Sequence, residues 1–460
     1  MTLTDYIDSL KGKRIGVVGL GVSNRPLLEL LLDGGCTVTG CDKATREKLG
    51  GIAESWEQRG CTLRLGEDYL KNLDFDVIFR TPGLHPDVPE LAAARERGAL
   101  VTSEMEIFFR LCPCHVLAVT GSDGKTTTTT IISELLKAAG KTVWLGGNIG
   151  TPLLDKVAQM QPEDYAVLEL SSFQLHSMDC RPETAVITNV SPNHLDVHPS
   201  YEDYYSAKKQ IFRRQQDGDV LVLNADNELT RSFAAEAPAG VRFFSRLEAV
   251  ENGAFMRDGV IYRAADGRKA PIMPASDIRI PGLHNVENYM AAFAATDGVV
   301  SDDICRSVAK SFPGVAHRLE MIRTLHGVTF CNDSIASSPT RTIAGLRSFS
   351  AKPVLIAGGY DKHIPFDELG NEICRRVKAL VITGATADKI YAAVTGSALF
   401  DPEKLPIVRC GEFREAVLAA AKLACAGDTV LLSPACASFD MFPNFAKRGE
   451  YFRELVNEME

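Results

Sequence analysis

The sequence of 460 residues is short of several features, and each shortage closes a class of function. Basic residues are outnumbered, 50 lysine plus arginine against 59 aspartate plus glutamate, for a net charge of −9. Without a basic field to displace phosphate counterions, non-specific nucleic-acid binding is excluded, and an anionic ligand has to be held by local donors. No apolar run is long enough to span a membrane, and no leader pattern opens the chain. Paired cysteine spacings are missing too, since the twelve cysteines are scattered from Cys36 to Cys436. These absences predict a reduced, cytoplasmic protein with no membrane span. The one close pair, Cys112 and Cys114 in LCPCH, lacks C-x2-C spacing and a second pair, so it reads as structural cysteines rather than a metal site with His115. No fixed-period repeat, low-complexity tract or long linker is present.

What is there fits a multidomain globular enzyme. An apolar content of 45% with 24% charged residues supports a packed fold, and the length exceeds one hydrophobic core. Apolar strand-like runs alternate with helical periodicity along the whole chain, which predicts three α/β domains. The first, residues 1–103, is Rossmann-like and opens on the strand and glycine loop of RIGVVGLG. The second, 104–313, is a P-loop-type domain built on a parallel sheet, with a small antiparallel insert near 240–282. The third, 314–460, repeats short strands (PVLIAGG, ALVITG, TVLLSP) between helices and is Rossmann-like again.

The strongest chemical signal is Thr120-Gly121-Ser122-Asp123-Gly124-Lys125-Thr126-Thr127, placed between a strand and a helix. Bare amides in such a loop surround phosphate, Lys125 offsets its charge, and Thr126 offers a hydroxyl to Mg²⁺. The loop departs from G-x-x-x-x-G-K-[ST] because Val119 stands at the first glycine position. Glu169 ends the strand AVLEL just before Ser171, where a carboxylate faces the ligand crevice of an open α/β sheet and suits a hard cation. His194 and Asp196 follow the strand TAVITNV and belong at the same edge; His194 is a metal candidate as neutral imidazole. In the first domain, Gly19-Leu-Gly21-Val22-Ser23-Asn24 lacks the third glycine of the dinucleotide fingerprint, although Asp42 ends the next strand. A nicotinamide cofactor is therefore a poor fit, and the loop suits the diphosphate of a nucleotide sugar equally well. In the third domain Arg318, Asp333, Lys362 and Ser438 sit at strand ends or hinges, where each is either a turn residue or a ligand contact.

Taken in order, TGSDGKTT, LELSSFQL, NHLDVH, SAKK, GLHNVEN, HRLE, NDS, GGYDK and SPACASFDMFPNFAKRG resemble the Mur ligase family, from Ile15 to Phe452. The tail SPACASFDMFPNFAKRGEYF and the N-terminal GLGVSN resemble its D-glutamate-adding branch. The resemblance implies an ATP-dependent ligase that extends UDP-N-acetylmuramoyl-L-alanine with D-glutamate through an acyl-phosphate, acting as a monomer on small molecules. It implies that Gly21, Val22, Ser23, Asp42, the turn Thr81-Pro82-Gly83, Asn148 and Ser171 meet the UDP substrate. Thr120 to Thr127 with Asn285, Arg318 and Asp333 would meet ATP. Two Mg²⁺ sites are implied, one on Thr126 and Glu169 and one on His194 with a carbamylated lysine, by motif spacing Lys208 with Lys209 its neighbour. Lys125, Glu169, His194 and Lys208 would be the catalytic set.

Ser337, Lys362, Ser438 and Phe445 match the positions that hold D-glutamate. The chain departs from the family at Ile335 and Ser337, where NDSKAT is common, so one charge of that site is missing. Asp123 and Asn193 are mild exchanges in polar loops. Three other readings remain open on the residues: another Mur-type ligase, a folylpolyglutamate-type ligase, and a non-catalytic nucleotide-binding module.

Overall fold

Short runs rich in valine, isoleucine and leucine form twenty strands in three sheets of a computed structural model that describes residues 1–21, 23–191, 200–362 and 364–460. The first sheet contains β1 (Ile15–Val18), β2 (Val38–Asp42), β3 (Thr62–Leu65), β4 (Val77–Arg80) and β5 (Leu100–Thr102). It is wholly parallel in the order 3-2-1-4-5. The order reverses between β1 and β4, so the carboxyl ends of these two strands open a crevice suited to a ligand. Strands β1 and β4 are buried at every residue, as expected where helices cover both faces.

The second sheet has nine strands: β6 (His115–Thr120), β7 (Val143–Gly147), β8 (Tyr165–Glu169), β9 (Thr184–Ile187), β10 (Val220–Asn224), β11 (Gly240–Ser245), β12 (Gly253–Arg257), β13 (Val260–Ala265) and β14 (Arg268–Pro274). Their order is 14-13-12-11-10-9-6-8-7. The antiparallel insert is narrower than the sequence suggests. Strand β11 runs parallel to β10 and to β12, and only β12, β13 and β14 pair antiparallel.

The third sheet holds β15 (Glu320–Leu325), β16 (Val328–Asn332), β17 (Val354–Ala357), β18 (Ala379–Ile382), β19 (Ile407–Arg409) and β20 (Thr429–Leu432), ordered 15-16-20-17-18-19. Among the described residues its only antiparallel strand pair is the β15/β16 hairpin. Neighbouring residues of one strand enter different cores. Leu355, Leu380 and Leu431 pack on one face, and Val354, Ile356, Val381 and Val430 on the other, which is the period of two that a doubly covered sheet demands.

The chain forms two compact units, one of residues 1–277 and 286–309 and one of residues 278–285 and 310–460. The first holds the first two sheets and the second holds the third. Among the described residues no helix is long and apolar enough to cross a membrane.

Candidate functional site

Strand β6 carries apolar residues into the sheet centre, and its last residue, Thr120, releases the chain into the loop that precedes the helix Lys125–Ala138. Two glycines make that loop possible. Gly121 has φ +150°, and a Cβ there would meet Thr188 Oγ1 at 1.9 Å; Gly124 has φ +78°, and a Cβ would meet Asn288 Oδ1 at 2.3 Å. The loop is braced from outside. Thr188 Oγ1 donates to the Asp123 carbonyl (2.6 Å), and the Asp123 amide donates to Asn189 Oδ1 (2.9 Å). Ser122 Oγ lies 2.9 Å from the Tyr204 hydroxyl. Lys125 Nζ donates to the carbonyls of Gly121 (3.0 Å) and Ser122 (2.9 Å), which curls its ammonium over the loop rather than into solvent. Held amides at a helix N-terminus, with one cation above them, form an anion cradle.

Glu169 ends β8 beside this loop and is 1% exposed. Its Oε1 accepts from Asn148 Nδ2 (2.8 Å), while Oε2 has no hydrogen-bond partner among the described residues. The Thr120 hydroxyl is in the same condition. Asn148 is itself fixed through its own amide, which donates to the Glu169 carbonyl (2.8 Å), just beyond Gly147 at φ +92°. A buried carboxylate oxygen left without a donor is costly unless a cation completes it.

The two adjacent lysines separate cleanly. Lys208, 1% exposed, places Nζ 2.9 Å from the Gly121 carbonyl and 4.3 Å from the Tyr204 ring centroid. Burial, and then the nearby Lys125 charge, pushes its pKa well below the ordinary lysine value. Lys209 turns away and pairs with Glu236 at 2.5 Å. His194 and Val22 lie outside the described residues.

In the first sheet the glycine loop after β1 packs on the turn after β4. Gly19 has φ +86°, and a Cβ there would strike Thr81 Cγ2 at 2.5 Å. Asn24 Nδ2 donates to the carbonyls of Val18 (3.2 Å) and Gly19 (2.9 Å), closing the loop on the first turn of the helix Asn24–Asp33. Both oxygens of Asp42 accept backbone amides, from Leu20 and from Ala44, so this acid also shapes the loop. Ser23 and Pro82 line one small cavity with Gly147 and Gln174, which brings the glycine loop and the turn to the strand that precedes Asn148. Gly21 is exposed at the loop tip, and Ser171 caps the helix Ser172–Leu175 by accepting from the Gln174 amide.

The remaining residues stand in the second unit. Asp333 follows β16, 5% exposed; it accepts from Ser433 Oγ (2.7 Å) and the Leu319 amide (3.3 Å), and burial raises its carboxyl to about 7. Arg318 is exposed, and Asn285 Nδ2 donates to the Pro281 carbonyl. Lys362 Nζ lies 3.4 Å from the Ser337 carbonyl, so these two predicted residues meet. The Ser438 hydroxyl is buried with no hydrogen-bond partner among the described residues. Phe445, exposed, begins the helix Phe445–Glu458, and its carbonyl accepts from Ser334 Oγ.

Sequence reasoning missed the braces. Thr188 and Asn189 were legible only as polar residues closing an apolar strand. Asn288, which fills the space beside Gly124, stands inside the GLHNVEN motif. Arg448, 2% exposed, donates to Ser334 Oγ and to the carbonyls of Ser334, Cys436 and Ala437, tying together the segments that carry Ser337 and Ser438.

Comparison with known proteins agrees with this geometry. Residues 119–296 match the Mur ligase middle domain, and residues 317–436 match the Mur ligase glutamate ligase domain. A protein of Acetivibrio thermocellus named UDP-N-acetylmuramoylalanine--D-glutamate ligase is 52% identical, covering 100% of this chain and 99% of its own length. A Clostridium kluyveri protein of the same name is 49% identical, with 99% of each covered. Among solved structures, the UDP-N-acetylmuramate-alanine ligase of Thermotoga maritima superposes with a TM-score of 0.59 at 18% identity, covering 97% of this chain and 100% of that one, a likeness of fold.

Proposed function

The chain belongs to the Mur ligase family, and from that premise we propose that it joins D-glutamate to UDP-N-acetylmuramoyl-L-alanine at the expense of ATP, a step of peptidoglycan precursor synthesis. The observation that carries the reading is the identity, over the full length, to proteins named for that reaction, together with a buried Glu169 oxygen that wants a cation beside a phosphate cradle. We take the enzyme to be cytoplasmic and monomeric, with domain boundaries near residues 103 and 313.

Magnesium fits the residues present. Thr126 and Glu169 would hold one ion, and Lys208 as a carbamate with His194 a second; bound there, the ions would supply positive charge to the phosphate oxygens. Lys208 suits that modification because a neutral amine reacts with CO₂ and a protonated one does not, and its surroundings disfavour the proton.

The substrate carboxylate attacks the γ-phosphate of ATP to give an acyl-phosphate, and the D-glutamate amine then displaces phosphate. Lys125 and the amides of Ser122 to Thr127 orient the phosphates and bear part of the charge that develops on them. Asn148 holds Glu169 in place. Gly21, Ser23, Asp42, Thr81, Pro82, Gly83 and Ser171 position the UDP substrate. Asn285, Arg318 and Asp333 serve the nucleotide, and Ser337, Lys362, Ser438 and Phe445 receive D-glutamate, with Ile335 in place of a charged contact.

The test is phosphate release from ATP, Mg²⁺ and UDP-N-acetylmuramoyl-L-alanine with D-glutamate, L-glutamate, L-lysine, meso-diaminopimelate or no amino acid. Release that depends on D-glutamate is the expected result. Release with another acceptor keeps the ligase and changes the substrate; no release with any acceptor favours a non-catalytic nucleotide-binding module.

A further inference from the structure

We propose that His85, His176 and Asp203 form a transition-metal site, zinc-like in its donors, that shares no residue with the phosphate cradle. One ligand atom from each lies within 4.8 Å of the others, His176 Nε2 is 2.9 Å from Asp203 Oδ1, and the two imidazole rings are 4.7 Å apart at 63°. Two imidazoles and a carboxylate are the donor set of zinc and its neighbours, not of magnesium. A tetrahedral ion with bonds of about 2.0–2.2 Å sets its ligand atoms about 3.3–3.6 Å apart, so side-chain adjustment of about an ångström closes the site.

The three residues come from separate pieces of chain: the turn after β4, the end of the helix Ser172–Leu175, and the first turn of the helix Tyr201–Lys209. What makes this a built arrangement is Arg80, 1% exposed, which binds two of those pieces at once. Its guanidinium donates to the Leu84 carbonyl (3.0 Å), next to His85, and to the Phe173 carbonyl (3.3 Å) and Ser177 Oγ (2.6 Å), which flank His176. The imidazoles are thus presented to each other by a buried cation that is not itself a ligand, as supporting residues do in metal centres.

Asp87 stands behind His85, with its amide 3.2 Å and its carboxylate 4.0 Å from Nδ1. When Nε2 binds a cation, Nδ1 carries the proton and turns from accepting the Asp87 amide to donating to the Asp87 carboxylate. An ion here clips the turn after β4 to the helix that carries Lys208.

The experiment is titration of the full-length protein with Co²⁺, then Zn²⁺, in saturating Mg²⁺ so that oxygen-rich sites are filled. The expected result is one equivalent of Co²⁺ with the intense visible absorption of tetrahedral coordination, displaced by Zn²⁺, and a zinc-dependent rise in Tm. His85→Gln and His176→Gln should each weaken binding by more than about 100-fold, and Asp87→Asn, on an exposed residue, by about 10-fold. Absence of the tetrahedral band in the unaltered protein overturns the proposal whether or not the histidine variants fold. A band that survives both histidine substitutions overturns it as well, and leaves His176 and Asp203 as an ion pair only.

Discussion

Replacing Lys208 with methionine should make the protein more stable and less active at once. In CO₂-free buffer the side chain is an amine, almost fully buried, with one hydrogen bond among the described residues, to the Gly121 carbonyl. Losing that bond costs about 1 kcal/mol, and the carbonyl stays paired because Lys125 also donates to it. Against this, exchanging a buried ionisable group for an apolar chain of similar length gains about 1–4 kcal/mol, so Lys208→Met should gain a net of about 0–3 kcal/mol at neutral pH.

The pH dependence gives the sharper test. The unfolded lysine keeps its proton up to about pH 10.4, while the folded one releases it earlier. Between the depressed value and about 10.4 the unfolded state binds more protons, so wild-type stability rises with pH by about 1.4 kcal/mol per unit. The advantage of the methionine variant should therefore shrink as pH increases through that window, followed by urea unfolding from neutral to alkaline pH. An advantage that is independent of pH, or a variant less stable at pH 7, refutes the account of Lys208 as a strained amine. Activity runs the other way: kcat/KM should fall by at least about 100-fold, and bicarbonate should restore CO₂-depleted wild type but leave the variant unchanged.

Three further outcomes follow from the same geometry. Gly121→Ala, whose Cβ meets Thr188 Oγ1 at 1.9 Å, should displace the loop and weaken ATP binding by about 100-fold in calorimetry, with little loss of helicity. Asn148→Asp sets a second carboxylate in place of the donor 2.8 Å from Glu169, so two like charges face each other there; the Mg²⁺ concentration needed for half-maximal activity should change, whereas an unaltered Mg²⁺ requirement would deny Asn148 its supporting role. Arg448→Met takes the donor from the Ser334 and Cys436 carbonyls, while the Ala437 carbonyl keeps the Tyr360 amide and the Ser334 hydroxyl keeps the Phe445 carbonyl, so a loss of about 3 kcal/mol in urea unfolding and a higher KM for D-glutamate are expected.

Much of the site was legible because its parts lie on short stretches of chain. TGSDGKTT declares a strand, a glycine turn and a helix within eight residues, and Glu169 advertises itself as the acid that ends an apolar strand. Sequence did not separate Lys208 from Lys209, since adjacent residues on a helix differ only in the face they present. Strand β11 was read with the antiparallel insert because GVRFF, flanked by turn residues, has the same local pattern whichever direction its partner runs. The long-range clamps were hidden for a different reason. Arg80 meets Ser177 97 positions away, and Arg448 meets Ser334 114 positions away; a buried guanidinium spells nothing locally.

The order of strands in the second sheet has a consequence for how the molecule is made. Among the described residues strand β7 pairs only with β8, which must slide between β7 and β6 although it follows both in the chain. Until residue 169 has left the ribosome, β7 has no neighbour, and Asn148 has neither the carbonyl nor the carboxylate it later holds. The last insertion into that edge of the sheet is thus also the moment at which the acidic pocket comes into being. A nascent chain stalled before β8 should carry the phosphate loop in sequence yet lack the Asn148–Glu169 pair beside it, so assembly of the sheet itself delays the proposed cation site until the loop has its neighbour.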